Sequence, residues 1–505
     1  MDPLFVLFLG MVIVFVGILY FKLHAFFTLT LAAMAVAAFS NQDLIKNYWL
    51  EEGHTAVAKV ETALIEKGIS KEEAKELAWL EHGVSEEQAE NLAKSPFGLR
   101  VAIAFGVTCG KIGIVICMAS IIGTCLLNSG AALRIVRAIL KAMGEKRAPA
   151  AMGTSGFFLG IPVFFDTVFY LMVPLAKALA ASTKKNYGFY VLAIIAGGSI
   201  AHSQIPPTPG PLFVAEQLGI DIGTMMISGI IVGGMAAFSG MIYAKWINKR
   251  KPIPFRDLEE GGDSKMQKWD EINDSDLPNL WLSMAPIIFP LILLSGKTIL
   301  TSAATATGAD LPSWLSNLVG LLGDKNVALT IGACIGLFTL FQKKSNNDAV
   351  KDAMQSALAS GGIVLMITCA GGAFGGMLQQ SGIREVVAAL GGGNGFWFLP
   401  MAFILTAMIR TVQGSATVAM ITSVGILAPM ASAGLDFHPI YLAMVIGFGS
   451  KPVPWMNDSG FWVISKMSGM TEGETLMNFS VMATIMAIVG LIVSMIGAQV
   501  IPFAG

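Results

Sequence analysis

Long apolar stretches separated by short polar segments dominate the chain. Several of them approach the roughly 20 apolar residues that an α-helix needs to cross a bilayer, and a water-soluble core cannot absorb so many. Examples are residues 3–21, 25–40, 225–244, 281–294 with its flanks, and 481–501. The pattern predicts an all-α polytopic membrane protein with about ten spanning helices.

One segment breaks this pattern. Residues 41–97 are rich in Glu, Lys and Ala. Ser70-x-x-Glu73 and Ser85-x-x-Gln88 match the capping box that starts a helix. We therefore expect a small helical insert outside the membrane, acting as a solvated bundle or a partner surface.

Composition narrows the class of protein further. Of 505 residues, 54% are hydrophobic and 13% charged, and the net charge of -1 gives no basis for binding nucleic acid. The five cysteines lie in apolar segments without metal-ligand spacing. We find no nucleophile with a base and no H-E-x-x-H motif. The sequence predicts neither an enzyme nor a bound metal or cofactor.

The basic loops predict the orientation, because cytoplasmic loops carry an excess of Lys and Arg. Placing the four basic clusters inside puts the insert, both termini and the loops at residues 216–221 and Asp310 outside. Two apolar segments, 150–181 and 395–433, must then enter and leave on the same side, as re-entrant helical hairpins. The clusters are residues 134–147, Lys184 with Lys185, residues 245–256, and Lys343 with Lys344.

An internal repeat organises the chain. Residues 112–139 resemble residues 361–390, and each copy is followed by a hairpin candidate and then by a helix broken at a proline-rich run. With the predicted orientation the halves are inverted repeats, the common architecture of secondary transporters. The predicted parts are two transmembrane helices at 1–40, the insert at 41–97, a first repeat at 98–247 with broken helix 187–217, a cytoplasmic loop and scaffold helices at 248–355, and a second repeat at 356–505 with broken helix 438–470.

The first broken helix carries four prolines, at 206, 207, 209 and 211. Proline has no amide hydrogen, so this run must unwind the helix and free backbone groups at membrane depth. The new helix start offers unpaired donors that suit a substrate carboxylate. A structural kink is the alternative, and the matching break in the second repeat favours a site.

The second hairpin carries a dense run of small and hydroxyl-bearing residues at its predicted tip. It reads Arg410-Thr411-Val-Gln413-Gly414-Ser415-Ala416-Thr417. These side chains can donate hydrogen bonds to a polyol or carboxylate. The alternatives are helix packing through small residues, and an Arg410 that snorkels to the interface or holds a backbone carbonyl.

Three titratable residues lie in apolar surroundings and are candidates for coupling protons. Asp166 and Asp458 have aromatic neighbours, and His202 is the one histidine inside an apolar segment. Buried carboxylates and histidines carry protons in many transporters. The alternative for Asp458 is a helix cap, a role that does not exclude proton coupling. The alternative for His202 is a structural, hydrogen-bonded histidine.

At these residues the chain resembles the gluconate permease (gluconate:proton symporter, GntP) family of the ion transporter superfamily. Four motifs in order carry the likeness: residues 160–166, His202 with the proline run, residues 413–419 and residues 457–462. The resemblance implies proton-coupled uptake of gluconate or a related sugar acid or hydroxy acid across a bacterial inner membrane. It also implies a lipid-embedded homodimer that moves as an elevator. The predicted substrate-binding residues are Asp166, Thr167, His202, Pro207, Thr208, Arg410, Thr411, Gln413, Gly414, Ser415, Thr417, Asn457, Asp458 and Ser459.

The chain departs from the family pattern at two places in the predicted site. Thr208 stands where a second His is common, and Pro454-Trp455-Met456 replaces Ser-His-Val. Trp455 in place of His favours a smaller or less hydroxylated acid than gluconate. A sodium-coupled carboxylate carrier is the close rival, because unwound helices also form sodium sites. A passive channel is a more distant alternative.

Overall fold

Helices account for the regular structure of this protein. A computed structural model shows α-helices with short 3-10 and π turns and no strand in the described ranges, so the all-α prediction is confirmed. The described residues are 2–21, 23–66, 69–183, 186–254, 272–307, 312–343, 347–383, 386, 395, 397–432 and 434–502.

The helices are numbered in chain order. They are α1 (Pro3–Leu19), α2 (Ala25–Phe39), α3 (Gln42–Glu66), α4 (Lys71–His82), α5 (Glu86–Lys94), α6 (Phe97–Asn128), α7 (Ala131–Met143), α8 (Ala148–Leu159), α9 (Phe165–Thr183), α10 (Tyr187–Gln204), α11 (Pro209–Gln217), α12 (Ile222–Arg250), α13 (Leu280–Thr307), α14 (Ser313–Leu322), α15 (Lys325–Lys343), α16 (Asn347–Gln380), α17 (Phe398–Gln413), α18 (Ala416–Ala431), α19 (Pro439–Gly449), α20 (Ser459–Ser468), α21 (Glu472–Thr475) and α22 (Val481–Val500).

Seven segments of the described chain are long and apolar enough to cross a membrane, or eight if the bent pair α2–α3 counts as one span. The sequence pattern predicts about ten because it also counts apolar stretches whose helices are shorter, such as α1 with 17 residues. The seven segments are Phe97–Asn128, Tyr187–Gln217, Ile222–Arg250, Leu280–Ala304, Lys325–Lys343, Val350–Gln380 and Glu472–Val500.

Contacts divide the described residues into two units. The first comprises Met1–Cys109, Ile367–Gly395 and Gly425–Leu435, and the second comprises Gly110–Met366, Phe396–Val424 and Asp436–Gly505. In the first unit, Arg100 is buried and donates to the Gln380 side chain and, at 2.6 Å, to the carbonyl of Ala37. The second unit contains every residue of the predicted substrate site.

The charged insert folds into helices α3, α4 and α5. Ser70 caps α4 by accepting a hydrogen bond from the Glu73 amide. Ser85 and Gln88 form both bonds of a capping box at the start of α5. These caps confirm the helix starts predicted from the two sequence patterns.

The two copies of the internal repeat share a local backbone feature. α6 and α16 are each followed by a Ser-Gly pair, and Gly130 and Gly382 both have φ of +79°. Glycine adopts this left-handed conformation without the steric cost that a Cβ imposes. The same turn therefore follows the corresponding helix of both halves.

Glycines bring α8 and α10 into backbone contact. A Cβ at Gly197 of α10 would overlap the carbonyl oxygen of Gly153 on α8. One at Gly160, just after α8, would lie 2.8 Å from the carbonyl oxygen of Gly198. Small residues allow this close approach of membrane helices. The contact holds the turn between α8 and α9 against the end of α10, beside the first helix break.

We predict that Gly197→Ala destabilises the protein strongly, because its methyl group must push two helix backbones apart. Overpacking of this kind costs about 1–3 kcal/mol or more. The measurement is the Tm of the purified protein in detergent. The control is Gly234→Ala on α12, where an added Cβ meets no atom within 4 Å. Equal Tm values for the two variants would contradict the close packing.

Some features of the sequence prediction lie outside the described residues. These are Lys184 and Lys185, residues 255–271 of the third basic cluster and the cytoplasmic loop, the loop at Asp310, Lys344, most of residues 384–394 at the end of the second repeat copy, and residue 433 at the end of the second hairpin segment.

Candidate functional site

The first helix break separates α10 from α11. α10 ends at Gln204, and α11 begins at Pro209, in the first helical position where proline costs no hydrogen bond. Within the break, Thr208 is buried and its hydroxyl donates to the carbonyl of Ile205 at 2.6 Å. The proline run thus unwinds a short segment between two buried half-helices.

The second break separates α19 from α20 and is held by side chains. The Trp462 indole donates to the carbonyl of Met456 at 2.7 Å, and the Ser480 hydroxyl donates to that of Pro454. Such bonds satisfy backbone groups that no helix pairs, as required at membrane depth. The break is therefore a defined structure rather than a loose kink.

A buried ion pair joins the second break to α17. Arg410 donates from Nη2 to Asp458 and from Nε to the carbonyl of Ser450 at 2.9 Å. Both side chains are almost fully buried. Asp458 also accepts from the Gly460 amide at 2.8 Å and so caps α20. Asp458 therefore has the capping role that the sequence offered as one alternative, and Arg410 holds a backbone carbonyl and does not snorkel.

The tip of the second hairpin docks on the second break. The carbonyl of Thr411 accepts hydrogen bonds from Trp455 Nε1 at 2.5 Å and from Asn457 Nδ2 at 2.9 Å. Gly414 ends α17 with φ of +80°, and a Cβ there would overlap the Asn457 carbonyl oxygen. Only glycine meets both conditions. Ser415 then caps α18 by accepting from the Val418 amide.

The same tip lies beside the first break. A Cβ at Gly210 of α11 would overlap the Met420 side chain and lie 3.7 Å from the Cα of Thr417. The start of α18 therefore packs against α11. Both breaks and the tip of the second hairpin meet in one region.

Asp166 reaches this region from the first hairpin. It lies in the first turn of α9. A Cβ at Gly460 would be 3.3 Å from Oδ1 of Asp166 and 3.3 Å from Oδ1 of Asp458. The two carboxylates thus flank the start of α20. Placing like charges together in a membrane is costly unless cations or protons balance them.

His202 lies near the end of α10, edge-on to the Phe164 ring with centroids 5.8 Å apart. Its Nδ1 atom is buried without a hydrogen-bond partner among the described residues. One ring nitrogen of His202 is therefore left without a partner in the described structure.

A polar cavity of about 230 Å³ lies next to the first break. Thr167, Pro207 and Thr208 line it, and α6 and α16 contribute side chains at helical spacing. These polar side chains are Ser120, Thr124 and Asn128 of α6, and Ser356 and Ser360 of α16. The cavity presents hydroxyls and the Asn128 amide among apolar residues, with no charged residue in its lining.

Several buried polar atoms in the region lack a hydrogen-bond partner in the described structure. They include Nη1 of Arg410, both amide atoms of Gln413, and both amide atoms of the fully buried Gln204. An unpaired buried polar atom costs about 1–3 kcal/mol, so these groups call for a ligand or water. No group of three His, Cys, Asp or Glu residues in the described ranges could hold a metal ion.

The predicted site residues fall into two neighbouring groups. Arg410, Thr411, Gly414, Asn457 and Asp458 contact one another, with Asp166 beside them. Thr167, Pro207 and Thr208 line the cavity, while Ser459 is exposed. Three features were not predicted from the sequence. They are the fully buried Gln204, the buried Lys451 in the second break, and the polar stripes of α6 and α16 that line the cavity. The spacing Ser120, Thr124, Asn128 in an apolar helix is a signal that could have revealed one stripe.

The model of the GntP family permeases matches residues 99–501. A low-affinity gluconate transporter of Escherichia coli is 30% identical over 400 residues, covering 78% of this chain and 87% of that protein. An uncharacterized permease of Haemophilus influenzae is 32% identical over 372 residues, or 73% and 76% of the two chains. A gluconate permease of Pseudomonas aeruginosa is 29% identical, with 77% and 84% covered.

The fold also resembles a solved structure. The crystal structure of the Alcanivorax borkumensis YdaH transporter, described as having an unusual topology, matches with a TM-score of 0.57 at 14% identity, covering 82% of this chain and 91% of that one. The bacterial relatives and the apolar helices identify a multi-pass protein of the bacterial inner membrane. Because the family model matches most of its length, this chain belongs to the GntP family of permeases.

Proposed function

We propose that this protein is a secondary active transporter that takes up gluconate, or a related sugar acid or hydroxy acid, together with protons. The buried Arg410–Asp458 pair is the observation that carries the proposal. It lies where a hairpin tip meets a helix break, beside a second carboxylate and several unpaired polar groups. Relatives whose names state gluconate transport supply the substrate class.

The cavity suggests how such an acid is held. Its hydroxyl and amide side chains fit the hydroxylated chain of a sugar acid. Thr167 lines the cavity, and its neighbour Asp166 lies beside the Arg410–Asp458 pair, so the cavity adjoins the buried charges. In this arrangement the carboxylate of the substrate faces the buried cations of the second break, Arg410 and Lys451, and the polyol chain of the substrate occupies the cavity. Asp166, His202 and Asp458 are the candidate proton carriers.

The mechanism proposed here is alternating access. The two halves would act as inverted repeats, with the site between their hairpins and broken helices, in an elevator-type movement within a homodimer. Coupling to protons drives accumulation of the anion.

The direct test is uptake of labelled gluconate into proteoliposomes under an imposed pH gradient without sodium. Sugar acids and short hydroxy acids serve as competitors, and their ranking shows how Thr208 and Trp455 set the preferred chain length. We expect accumulation that collapses with the pH gradient. Uptake that requires sodium and ignores the pH gradient would establish a sodium-coupled carrier instead. Equilibration without accumulation would indicate a channel.

We predict that Gln413→Ala reduces uptake about 10- to 100-fold at low substrate concentration. A hydrogen bond to a charged group contributes about 1.5–3 kcal/mol. Because the amide of Gln413 has no partner in the described protein, its removal should leave the Tm unchanged or higher. Uptake by proteoliposomes and Tm in detergent are the measurements, with the exposed Gln342→Ala on α15 as control. A lower Tm with normal uptake would assign Gln413 a structural role.

A further inference from the structure

Lys451 is a buried cation that the sequence pattern did not mark as a site residue. It is the second residue after α19, within the second break, and is 8% exposed. Its amide donates to the carbonyl of Phe448, which fixes the backbone. No carboxylate of the described residues lies within 4.0 Å of its ammonium group, unlike that of Lys325, which pairs with Glu216 at 2.6 Å.

Charged and titratable groups from three helices and from the second break itself interact with Lys451. It interacts electrostatically with Arg410 of α17, with Asp458 at the end of the break and with Asp166 of α9. His202 of α10 also lies within its electrostatic range. The cluster thus contains two cations, two carboxylates and one neutral or cationic imidazole.

One of the two cations is already matched. Arg410 holds Asp458 directly and the Ser450 carbonyl as well, whereas Asp166 and Lys451 have no such contact to each other. A charged lysine buried in a membrane protein is costly unless an anion balances it. A site that must bind an organic anion requires a cation whose counter-charge can be replaced, and Lys451 meets this requirement better than Arg410.

We propose that Lys451 binds the carboxylate of the transported acid in competition with Asp166, so that protonation of Asp166 is what frees Lys451 for the substrate. This inference rests on the proposed function and adds its coupling step. One proton from solution neutralises Asp166 as one monocarboxylate binds, and the cluster keeps its net charge. On release of the acid, Asp166 gives up its proton, and its charge again balances that of Lys451 within the cluster. One proton thus accompanies each anion.

The test is equilibrium binding of radiolabelled gluconate to the full-length protein purified in detergent, between about pH 5 and about pH 8. For the wild type, the Kd should rise about tenfold per pH unit once Asp166 ionises, because binding then requires proton uptake. Asp166→Asn should bind with a Kd that is nearly independent of pH. Lys451→Gln should weaken binding at least about 100-fold at every pH, with partial rescue by Lys451→Arg.

The exposed Lys249→Gln on α12 is the control for loss of a lysine, and Tm values establish that each variant is folded. Normal gluconate affinity of folded Lys451→Gln, or an unchanged pH slope for Asp166→Asn, would overturn the proposal. In both cases wild-type binding remains, and with it the proposed function. Failure of the wild type to bind gluconate or any of the sugar acids and hydroxy acids used as competitors in the uptake test would instead contradict the proposed function itself.

Discussion

Asp458→Asn should lower uptake about 100-fold or more while leaving the protein inserted in the membrane. Asparagine retains the oxygen that caps α20, since Asn and Asp cap about equally well. It loses the charge that balances buried Arg410, and breaking a buried ion pair costs about 3–5 kcal/mol. Each 1.4 kcal/mol corresponds to about tenfold in an equilibrium. Initial rates in proteoliposomes, normalised to inserted protein, are the measurement.

A paired variant separates transport from stability. Arg410→Gln combined with Asp458→Asn removes both charges of the pair, so neither partner is left as an unpaired buried ion, and the double variant should recover Tm lost in the single variant. Uptake should stay at background in both the single variant and the double variant. Recovery of uptake together with Tm would mean that the pair serves only to hold the second break.

Gly414→Ala should also abolish uptake, because the hairpin tip could no longer dock on the second break. The new methyl group would overlap the carbonyl oxygen of Asn457, and the residue would keep a φ of +80°. The hydrogen bonds that Trp455 and Asn457 donate to the Thr411 carbonyl depend on this contact. Substrate binding and uptake should both fall to background.

Gly219→Ala provides the matched control for the Gly414 variant. Gly219 has φ of +65°, but an added Cβ there meets nothing within 4 Å. It carries the same backbone cost of about 1–2 kcal/mol without the steric overlap. Equal uptake by the two alanine variants would show that backbone strain, and not docking of the tip, explains any loss.

The helical class and the two helix breaks could be predicted because they follow from local chemistry. A long apolar stretch requires a helix in lipid, and Pro206 to Pro211 cannot continue one. The capping patterns at Ser70 and Ser85 likewise act within a single turn. Asp458 was identified as both a cap and a site residue, and the structure gives it the cap and an ion pair.

The partners of these residues could not be predicted, because they depend on contacts between distant segments. Nothing near Arg410 in sequence indicates that it bonds to Ser450 and Asp458. Lys451 follows a run of apolar residues and precedes a proline, so it resembles a loop lysine until the fold shows it buried. The cavity is lined by polar side chains of α6 and α16, two helices that are far apart in the chain.

The central claim is that the buried Arg410–Asp458 pair is part of the site that binds the substrate. Titration calorimetry of gluconate, or of the acid that competes best for uptake, against purified wild type and the Arg410→Gln/Asp458→Asn variant tests it most directly. We predict saturable heat for the wild type and none for the variant at equal Tm. The same Kd for both proteins would contradict the claim and leave the pair a purely structural role.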